Sequence, residues 1–285
     1  MIGSIGLTLP HAVAATSLPD AVLQGNCIGG GNVPQQDLSA SGSCSQAATL
    51  AHGETGQGQV TISTQPLPSA SATATFNTPQ NNNAIGGGAH GLGSLTYSFE
   101  IIGPSGTVPV LVNATGHVSS SPTAAGVLIG SGAFALFSVE EPAVGGLILQ
   151  QASIDLRAKL FGISTASSNV GGTDATGFSG GFTVADLITM KTNTTYSVRL
   201  SVNAVSGSGA GLGGGFQQTS ALVDPMFQIG PGVPDPQIYS LVFSNGIGNS
   251  QVPVPIPAAI WLFISALGGL ARARRDCTCG SPDDA

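Results

Sequence analysis

The sequence predicts an all-β body, an antiparallel β-sandwich or jelly-roll-like domain, followed by a single C-terminal transmembrane helix. Between residues 59 and 243, apolar and polar residues alternate in many short segments, which is the pattern of strands with one buried face. Clusters of Gly, Ser, Asn and Pro separate these segments, as turns do between short strands. Repeated half-polar strands of this kind favour an antiparallel sandwich or jelly roll.

The composition is that of a folded chain with very few charges. Only 7% of the 285 residues are charged, against roughly 25% in an ordinary globular protein, whereas 41% are hydrophobic and 42 are Gly. Disordered chains combine low hydrophobicity with high net charge, so a folded body is expected. Between residues 16 and 256, eleven acidic side chains outnumber four basic ones, and such a surface disfavours nucleic acid as a partner.

Residues 1–15 are predicted to be the end of a signal peptide. An apolar run at residues 2–9 precedes Ala12, Val13 and Ala14, which fit the small-residue pattern of a signal peptidase site. No basic n-region precedes the run, so the complete signal peptide would begin upstream; the alternative is an apolar lead-in to the first strand. Residues 16–250 then form the predicted β-rich extracytoplasmic domain.

Cys27 and Cys44 are predicted to form a disulfide. Once the body is exported, the pair can close a short loop in an oxidising compartment, which stabilises the fold by roughly 3 kcal/mol. A zinc site is the alternative, but no His and no second CxxC lies at ligand spacing around the pair. The surrounding segment, residues 18–50, is expected to be a sheet edge or a stapled loop.

Three segments show the strand pattern clearly: residues 95–101, 154–160 and 196–204. In each, every second position is apolar and the intervening positions are polar, so one face is predicted to be buried and the other wet. One short helix is expected at residues 184–189. Weaker strands are expected at residues 59–64, 72–77, 108–113, 126–139, 226–229 and 238–243.

Motifs that resemble catalytic signatures lack the surrounding structure that their chemistry needs. Residues 177–181 fit GxSxG and residues 209–214 fit GxGxxG, but neither is followed by a predicted helix, so both are interpreted as Gly-rich loops. Glu140 and Glu141 are adjacent in a strand and would face opposite ways. The four His are scattered without metal-ligand spacing. The chain is therefore predicted to be non-catalytic, without a cofactor or metal site.

A calcium site is a weaker hypothesis. Asp224 precedes Pro225, and Asp235 follows eleven residues later, so their loops could converge on a cation. No Asp-x-Asp-x-Asp spacing accompanies them, which is the pattern expected of a calcium loop.

The C-terminal segment has the features of a membrane span. No charge occurs between Asp235 and Arg272, and residues 256–271 are apolar or small throughout, which gives a helix about 24 Å long. The basic residues after it place the body outside the cytoplasm by the positive-inside rule and leave residues 276–285 as a short cytoplasmic tail. The alternative is a buried core helix. The predicted span contains Ala258, Ala259, Trp261, Leu262, Phe263, Leu267 and Leu270, and its stop-transfer residues are Arg272, Arg274 and Arg275.

The order of parts at residues 251–275 resembles the PEP-CTERM sorting signal. Val254, Pro255, Ile256 and Pro257 are followed by Ala258 and Ala259, the apolar run and the Arg cluster, which is similar to the Val-Pro-hydrophobic-Pro-Ala-Ala variant of that signal. By this resemblance Pro255 and Pro257 match the motif prolines, while Ile256 stands where Glu is most often found. The family implies processing by an exosortase, a membrane-bound cysteine transpeptidase-like enzyme of bacteria that make exopolysaccharide.

The resemblance implies an exported bacterial protein. It would be anchored transiently in the inner membrane as a precursor and then pass to the cell surface or extracellular matrix. The favoured role is a non-catalytic structural or adhesive one linked to exopolysaccharide or biofilm, with exopolysaccharide as a further candidate partner. The alternative is a secreted enzyme or carbohydrate-binding module on the same route. Convergent polar residues in a cleft would favour the alternative, although the only Trp is in the predicted span and the Tyr residues fall on predicted buried faces.

Overall fold

The alternating segments form long strands that pair into two antiparallel sheets. The structure is a computed structural model, and it describes residues 17–30, 36–39, 42–79, 87–122, 129–141, 146–159, 162–165, 170–173, 177–208 and 215–250. The described residues fall within one unit that ends at Ser250. The predicted all-β antiparallel fold is confirmed, and the two sheets pack face to face as a sandwich.

Sheet A has eight strands in the described residues. Its spatial order is β10 (Gly162–Thr165), β9 (Gly146–Lys159), β8 (Ile129–Glu141), β13 (Thr195–Ser208), β6 (Gly87–Ile102), β1 (Val22–Ile28) and β2 (Gln36–Asp37). The short strand β15 (Ser240–Phe243) pairs with the end of β6, beyond the residues that β1 occupies.

Sheet B has seven strands in the described residues. Its spatial order is β11 (Val170–Thr173), β12 (Gly177–Lys191), β7 (Thr107–Pro122), β14 (Gly215–Ile229), β5 (Ser69–Thr78), β4 (Thr55–Ser63) and β3 (Ser43–Thr49). The chain therefore crosses between the sheets repeatedly, and most neighbouring strands are distant in sequence.

Aromatic rings from both sheets meet at the centre of the core. Phe99 of β6 lies 4.7 Å from Phe227 of β14, 5.3 Å from Tyr196 and 5.7 Å from Phe243, measured between ring centroids. The Phe99 side chain is fully buried. Phe99 thus joins the two sheets through ring contacts, which add to the stabilisation from burial alone.

The disulfide joins the two sheets. Cys27 lies on β1 of sheet A and Cys44 on β3 of sheet B, with their Cα atoms 6.0 Å apart and a sequence separation of 17. Both side chains are buried. The segment predicted as an edge or stapled loop therefore contains strands from both sheets, with β3 at the edge of sheet B.

Glycines let the backbones of the two sheets touch beside this bond. A Cβ on Gly58 of β4 would lie 2.1 Å from the carbonyl oxygen of His90, and one on Gly56 would lie 2.1 Å from that of Gly29. Neither position accepts a side chain, since both nearby atoms belong to the backbone. Thr55, Gln57 and Gln59, which face away from sheet A, therefore belong to a strand whose backbone packs directly against sheet A.

Two local predictions are wrong. Residues 184–189 are not a helix but part of β12, which pairs with β7 along its whole length. Residues 177–181 are the first residues of the same strand rather than a Gly-rich loop, because β7 and β11 pair with them on either side. A period-2 exposure pattern holds in this strand, with Leu187 exposed and Met190 buried.

Among the described residues, no helix has the length and apolar character needed to cross a membrane. Residues 256–271, which were predicted to do so, lie outside the described part of the chain, as do residues 1–15 and 276–285.

The buried Tyr97 hydroxyl is expected to make the free energy of unfolding depend on pH in the alkaline range. Its hydroxyl is buried and has no hydrogen-bond partner among the described residues, and burial raises the pKa of Tyr97 well above its ordinary value. The unfolded chain ionises Tyr near pH 10, while the folded chain keeps this proton, so stability falls as the pH rises above about 10. We expect Tyr97→Phe to reduce this loss in urea unfolding measured from pH 8 to 11.

Tyr196→Phe is the comparison at neutral pH; burial raises the pKa of Tyr196 as well, so this variant is not a control for the alkaline loss. The Tyr196 hydroxyl accepts a 2.7 Å hydrogen bond from the Lys191 backbone N–H, so its loss is expected to cost about 1 kcal/mol already at neutral pH. Tyr97→Phe removes no such bond and is expected to be neutral or stabilising there. Equal losses at neutral pH in both variants would contradict this account of Tyr97.

Candidate functional site

Twelve residues on the outer face of sheet B form a regular, uncharged grid. They come from four neighbouring strands, three from each, and the strand register aligns them in three rows that run across the strands. We call this set the neutral face. Its rows are Thr49, Thr55, Asn77 and Phe216; Ala47, Gln57, Thr75 and Gln218; and Ser45, Gln59, Thr73 and Ser220.

No member of the neutral face is ionisable. Further along β14 the outer face carries Asp224, whose carboxylate accepts a hydrogen bond from the Thr115 hydroxyl of β7. On the outer face of sheet A, Arg199 and Glu140 are exposed on neighbouring strands. Charged side chains therefore occur on both sheets, but not among the twelve residues of the neutral face.

Side-chain hydrogen bonds link the members of the neutral face to one another. The amides of Gln57 and Gln59 donate to the Ser45 hydroxyl over 3.1 and 3.4 Å, and the Thr73 hydroxyl donates to the Gln59 carbonyl over 3.3 Å. A Gln side chain has two donors and an acceptor oxygen with two lone pairs, so these bonds leave hydrogen-bonding capacity on each amide. The face is ordered by its own contacts and can still bind a polar ligand.

A groove of about 350 Å³ lies at one end of the neutral face. Its walls include Thr49, Thr55, Gln57 and Asn77, and it is bounded by the ring of Phe216. Phe216 is 37% exposed, and the other aromatic residues whose burial is described are less exposed. Short side chains at Ala47 and Ala48 also line the groove and leave room in it.

A second groove, about 660 Å³, lies on sheet A. It is lined by Pro19, Val22, Thr96, Asp20 and Asn193, among others. The Asn193 amide donates to the Gly103 carbonyl over 3.0 Å, so it is already engaged in holding its turn. This groove differs from the first because it contains the Asp20 carboxylate, and because the aromatic residue in its lining, Tyr97, is buried.

The structure separates the residues considered for catalysis and metal binding. Glu140 is exposed and Glu141 buried, as predicted for adjacent strand residues, and Glu141 pairs with Lys191 over 3.1 Å. Asp224 lies within β14, whereas Asp235 precedes a short 3-10 turn at Pro236–Ile238. The described residues contain no group of three His, Cys, Asp or Glu that could hold a metal ion.

The residues of the predicted sorting signal, from Val254 to Arg275, lie outside the described part of the chain. Of the predicted site residues, Cys27 and Cys44 lie inside it and are bonded to each other.

Comparisons with known proteins do not assign a family. No protein-family profile matches the chain, and no curated protein is found as a relative. One solved structure with partial similarity comes from a study of specific mannan recognition by a carbohydrate-binding module, TmCBM27. The similarity has 5% sequence identity and a TM-score of 0.16, and it covers 63% of this chain and 88% of the other. At this TM-score neither fold nor function is inferred from it.

Phe216 lies in a part of β14 that the sequence pattern does not predict. The pattern predicts a strand only at residues 226–229, whereas β14 begins at Gly215. Gln217 and Thr219 are buried on the inner face of β14, where the Gln217 amide donates to the Ser120 hydroxyl over 3.0 Å. Because polar residues lie on both faces of this part of β14, apolar and polar residues do not alternate there. The sequence pattern therefore gave no sign that Phe216 lies on the surface.

Proposed function

We propose that the chain is an exported bacterial surface or matrix protein with a non-catalytic structural or adhesive role, delivered through a PEP-CTERM-like sorting signal. An exosortase would recognise the signal and cut the inner-membrane precursor, and the β-sandwich would be the part that acts outside the cell.

The disulfide between Cys27 and Cys44 is the observation that carries the export step. Such bonds persist in oxidising compartments and are rare in the bacterial cytoplasm. This one joins two sheets and is buried, so the folded domain protects it from exchange with external thiols.

The sorting step is supported by the order of residues at the C-terminus. Proline favours an extended backbone and lacks the N–H donor, so Pro255 and Pro257 would allow an enzyme to bind the motif as a strand just before the apolar run. The arginines would then stop translocation, because each costs roughly 2.5–3.5 kcal/mol at the bilayer centre.

The test is the fate of the full chain in a host that has the matching exosortase. We expect the parent to be shortened and released from the membrane, and the double variant Pro255→Ala/Pro257→Ala to stay membrane-bound and uncut. Pro253→Ala is the matched control, since it changes a neighbouring proline outside the motif, and its processing should resemble that of the parent.

A second set of variants separates anchoring from cutting. Changing Arg272, Arg274 and Arg275 to Ser should weaken retention in the membrane before cutting occurs. Release of the double proline variant at the parental rate, as a shortened product, would refute the sorting step and leave the segment as an anchor.

A carbohydrate-binding module on the same export route is the second candidate function. The groove beside Phe216 favours it over a secreted enzyme, since that groove brings together hydroxyl and amide groups and one ring but no ionisable side chain.

A further inference from the structure

We infer that the neutral face, with the groove beside Phe216, binds a strand of uncharged polysaccharide. The inference rests on the proposed role outside the cell, where such polymers are the neighbouring matrix, and it concerns a site that the export argument does not use.

The charge character of the face selects the class of ligand. Anionic polysaccharides and nucleic acids are bound largely through Lys and Arg, and none of the twelve residues carries a charge. If a ligand covered a charged side chain without pairing with it, the loss of hydration of that charge would weaken binding. The neutral face has no charged side chain, so an uncharged ligand meets no such penalty there. An uncharged ligand rich in hydroxyl groups therefore matches this surface.

Hydrogen bonding from the face fits a polyol. Gln57, Gln218 and Asn77 are amides in neighbouring rows, and each can donate and accept within one side chain. Sugar hydroxyls also donate and accept, so adjacent hydroxyl groups can each be paired. Ser45 and Thr73 already order Gln57 and Gln59, which lowers the side-chain entropy that binding would cost.

Phe216 supplies the apolar contact that polar groups cannot. A sugar ring has a face of C–H groups, and an aromatic ring attracts such partially positive hydrogens through its negative face. The ring lies at the end of a row that crosses four strands, which makes the row about 14 Å long at a strand spacing of about 4.8 Å. That length suits a stretch of chain rather than a single sugar.

The support beneath the face is rigid. Gly56 and Gly58 alternate along β4 with Thr55, Gln57 and Gln59, and their backbone touches sheet A. The outward side chains of β4 are therefore carried on a strand whose backbone packs directly on the opposite sheet, and a pre-organised site spends less binding free energy on ordering.

Affinity electrophoresis of the full chain tests the inference directly. The purified chain, in a detergent without a sugar head group, is run through native gels that contain dextran, hydroxyethyl cellulose or galactomannan, and through a gel that contains alginate as the anionic comparison. We expect slowed migration in at least one neutral gel and no slowing in alginate.

Variants then locate the binding. Phe216→Ala is expected to weaken the apparent affinity about tenfold, and Gln57→Ala/Gln218→Ala by a similar factor. Leu222→Ala is the matched control, because Leu222 is an exposed apolar residue (42%) on the same strand and face but outside the grid, and it should bind as the parent does. Unfolding temperatures of all variants show whether each is folded.

A Trp at this position gives a second readout that does not depend on loss of binding. The chain has a single Trp, so Phe216→Trp in a Trp261→Phe background reports only on the groove. We expect it to bind at least as well as the parent and its fluorescence to shift to shorter wavelength on addition of the retained polysaccharide.

Three results would overturn the inference: no slowing in any neutral gel, equal losses in Phe216→Ala and Leu222→Ala, or slowing that Val22→Asp in the sheet A groove abolishes while Phe216→Ala does not. These outcomes are separate from a failure of sorting, because the electrophoresis uses purified protein and no exosortase.

Discussion

Replacing Phe99 with Ala is expected to lower the free energy of unfolding by about 3–5 kcal/mol. The side chain is fully buried and contacts rings from both sheets, so its loss removes apolar burial and leaves a cavity between layers that the strand ladders prevent from closing. Urea unfolding followed by near-ultraviolet circular dichroism, which reports on the neighbouring tyrosines, gives the midpoint and slope from which this change is obtained.

Leu92→Ala is the matched control for that substitution. Leu92 lies on the same strand, β6, but on its outer face and 36% exposed, so its truncation should cost much less than that of Phe99. If the two variants lost similar free energy, the ring cluster would not be the centre of the core.

The cores of β6 and β13 could be predicted from the sequence because their inner faces are apolar from Leu95 to Ile101 and from Tyr196 to Ala204. Every second residue from Leu95 to Ile101 is buried, as the alternation indicated. The predicted wet face of the same strand is partly wrong, since Ser98 and Glu100 are also buried. Strand β15 pairs along this edge of β6, and the Ser244 hydroxyl accepts from the Ser98 backbone N–H, a contact between residues 146 positions apart.

Strands whose inner faces are small or polar could not be recognised from local pattern. Cys27 and Cys44 are at inward positions of β1 and β3. The segment that contains them is rich in Gly, Ser and Ala, so its sequence pattern is typical of a loop. Its strand character comes from pairing with β6 and β4, and long-range pairing overrides weak local preference.

The neutral face was also beyond local reasoning. The β3–β4 hairpin, which sets Ser45 beside Gln59, joins neighbouring segments, but Phe216 reaches Asn77 only through the pairing of β14 with β5. From the sequence, Trp and Tyr were the residues considered for a sugar-binding surface. Phe216 lies on a part of β14 that was not predicted as a strand, so its position on the surface became evident only from the strand register.

Removing the disulfide is expected to lower the free energy of unfolding by roughly 3 kcal/mol, from the entropy of a loop with a sequence separation of 17. The double variant Cys27→Ala/Cys44→Ala tests this without adding a buried hydroxyl group. The bond also ties β1 to β3 across the sandwich, so its loss should let this side of the sandwich open before the centre does. Hydrogen exchange should accordingly show faster exchange in these two strands than in β13.

The reduced parent is the control that separates the bond from the substituted side chains. Fully reduced parent and double variant should both unfold at a lower urea concentration than the oxidised parent, and any further decrease in the double variant measures the loss of the two buried sulfur atoms. Alkylation, located by peptide mapping because the chain also contains Cys277 and Cys279, links this result to export. Chain retained in the cytoplasm should have the Cys27 and Cys44 thiols open to alkylation once unfolded, and exported chain should have neither of these two modified. A parent whose midpoint is unchanged by complete reduction, or exported chain with free thiols at Cys27 and Cys44, would remove the physical basis for the export step.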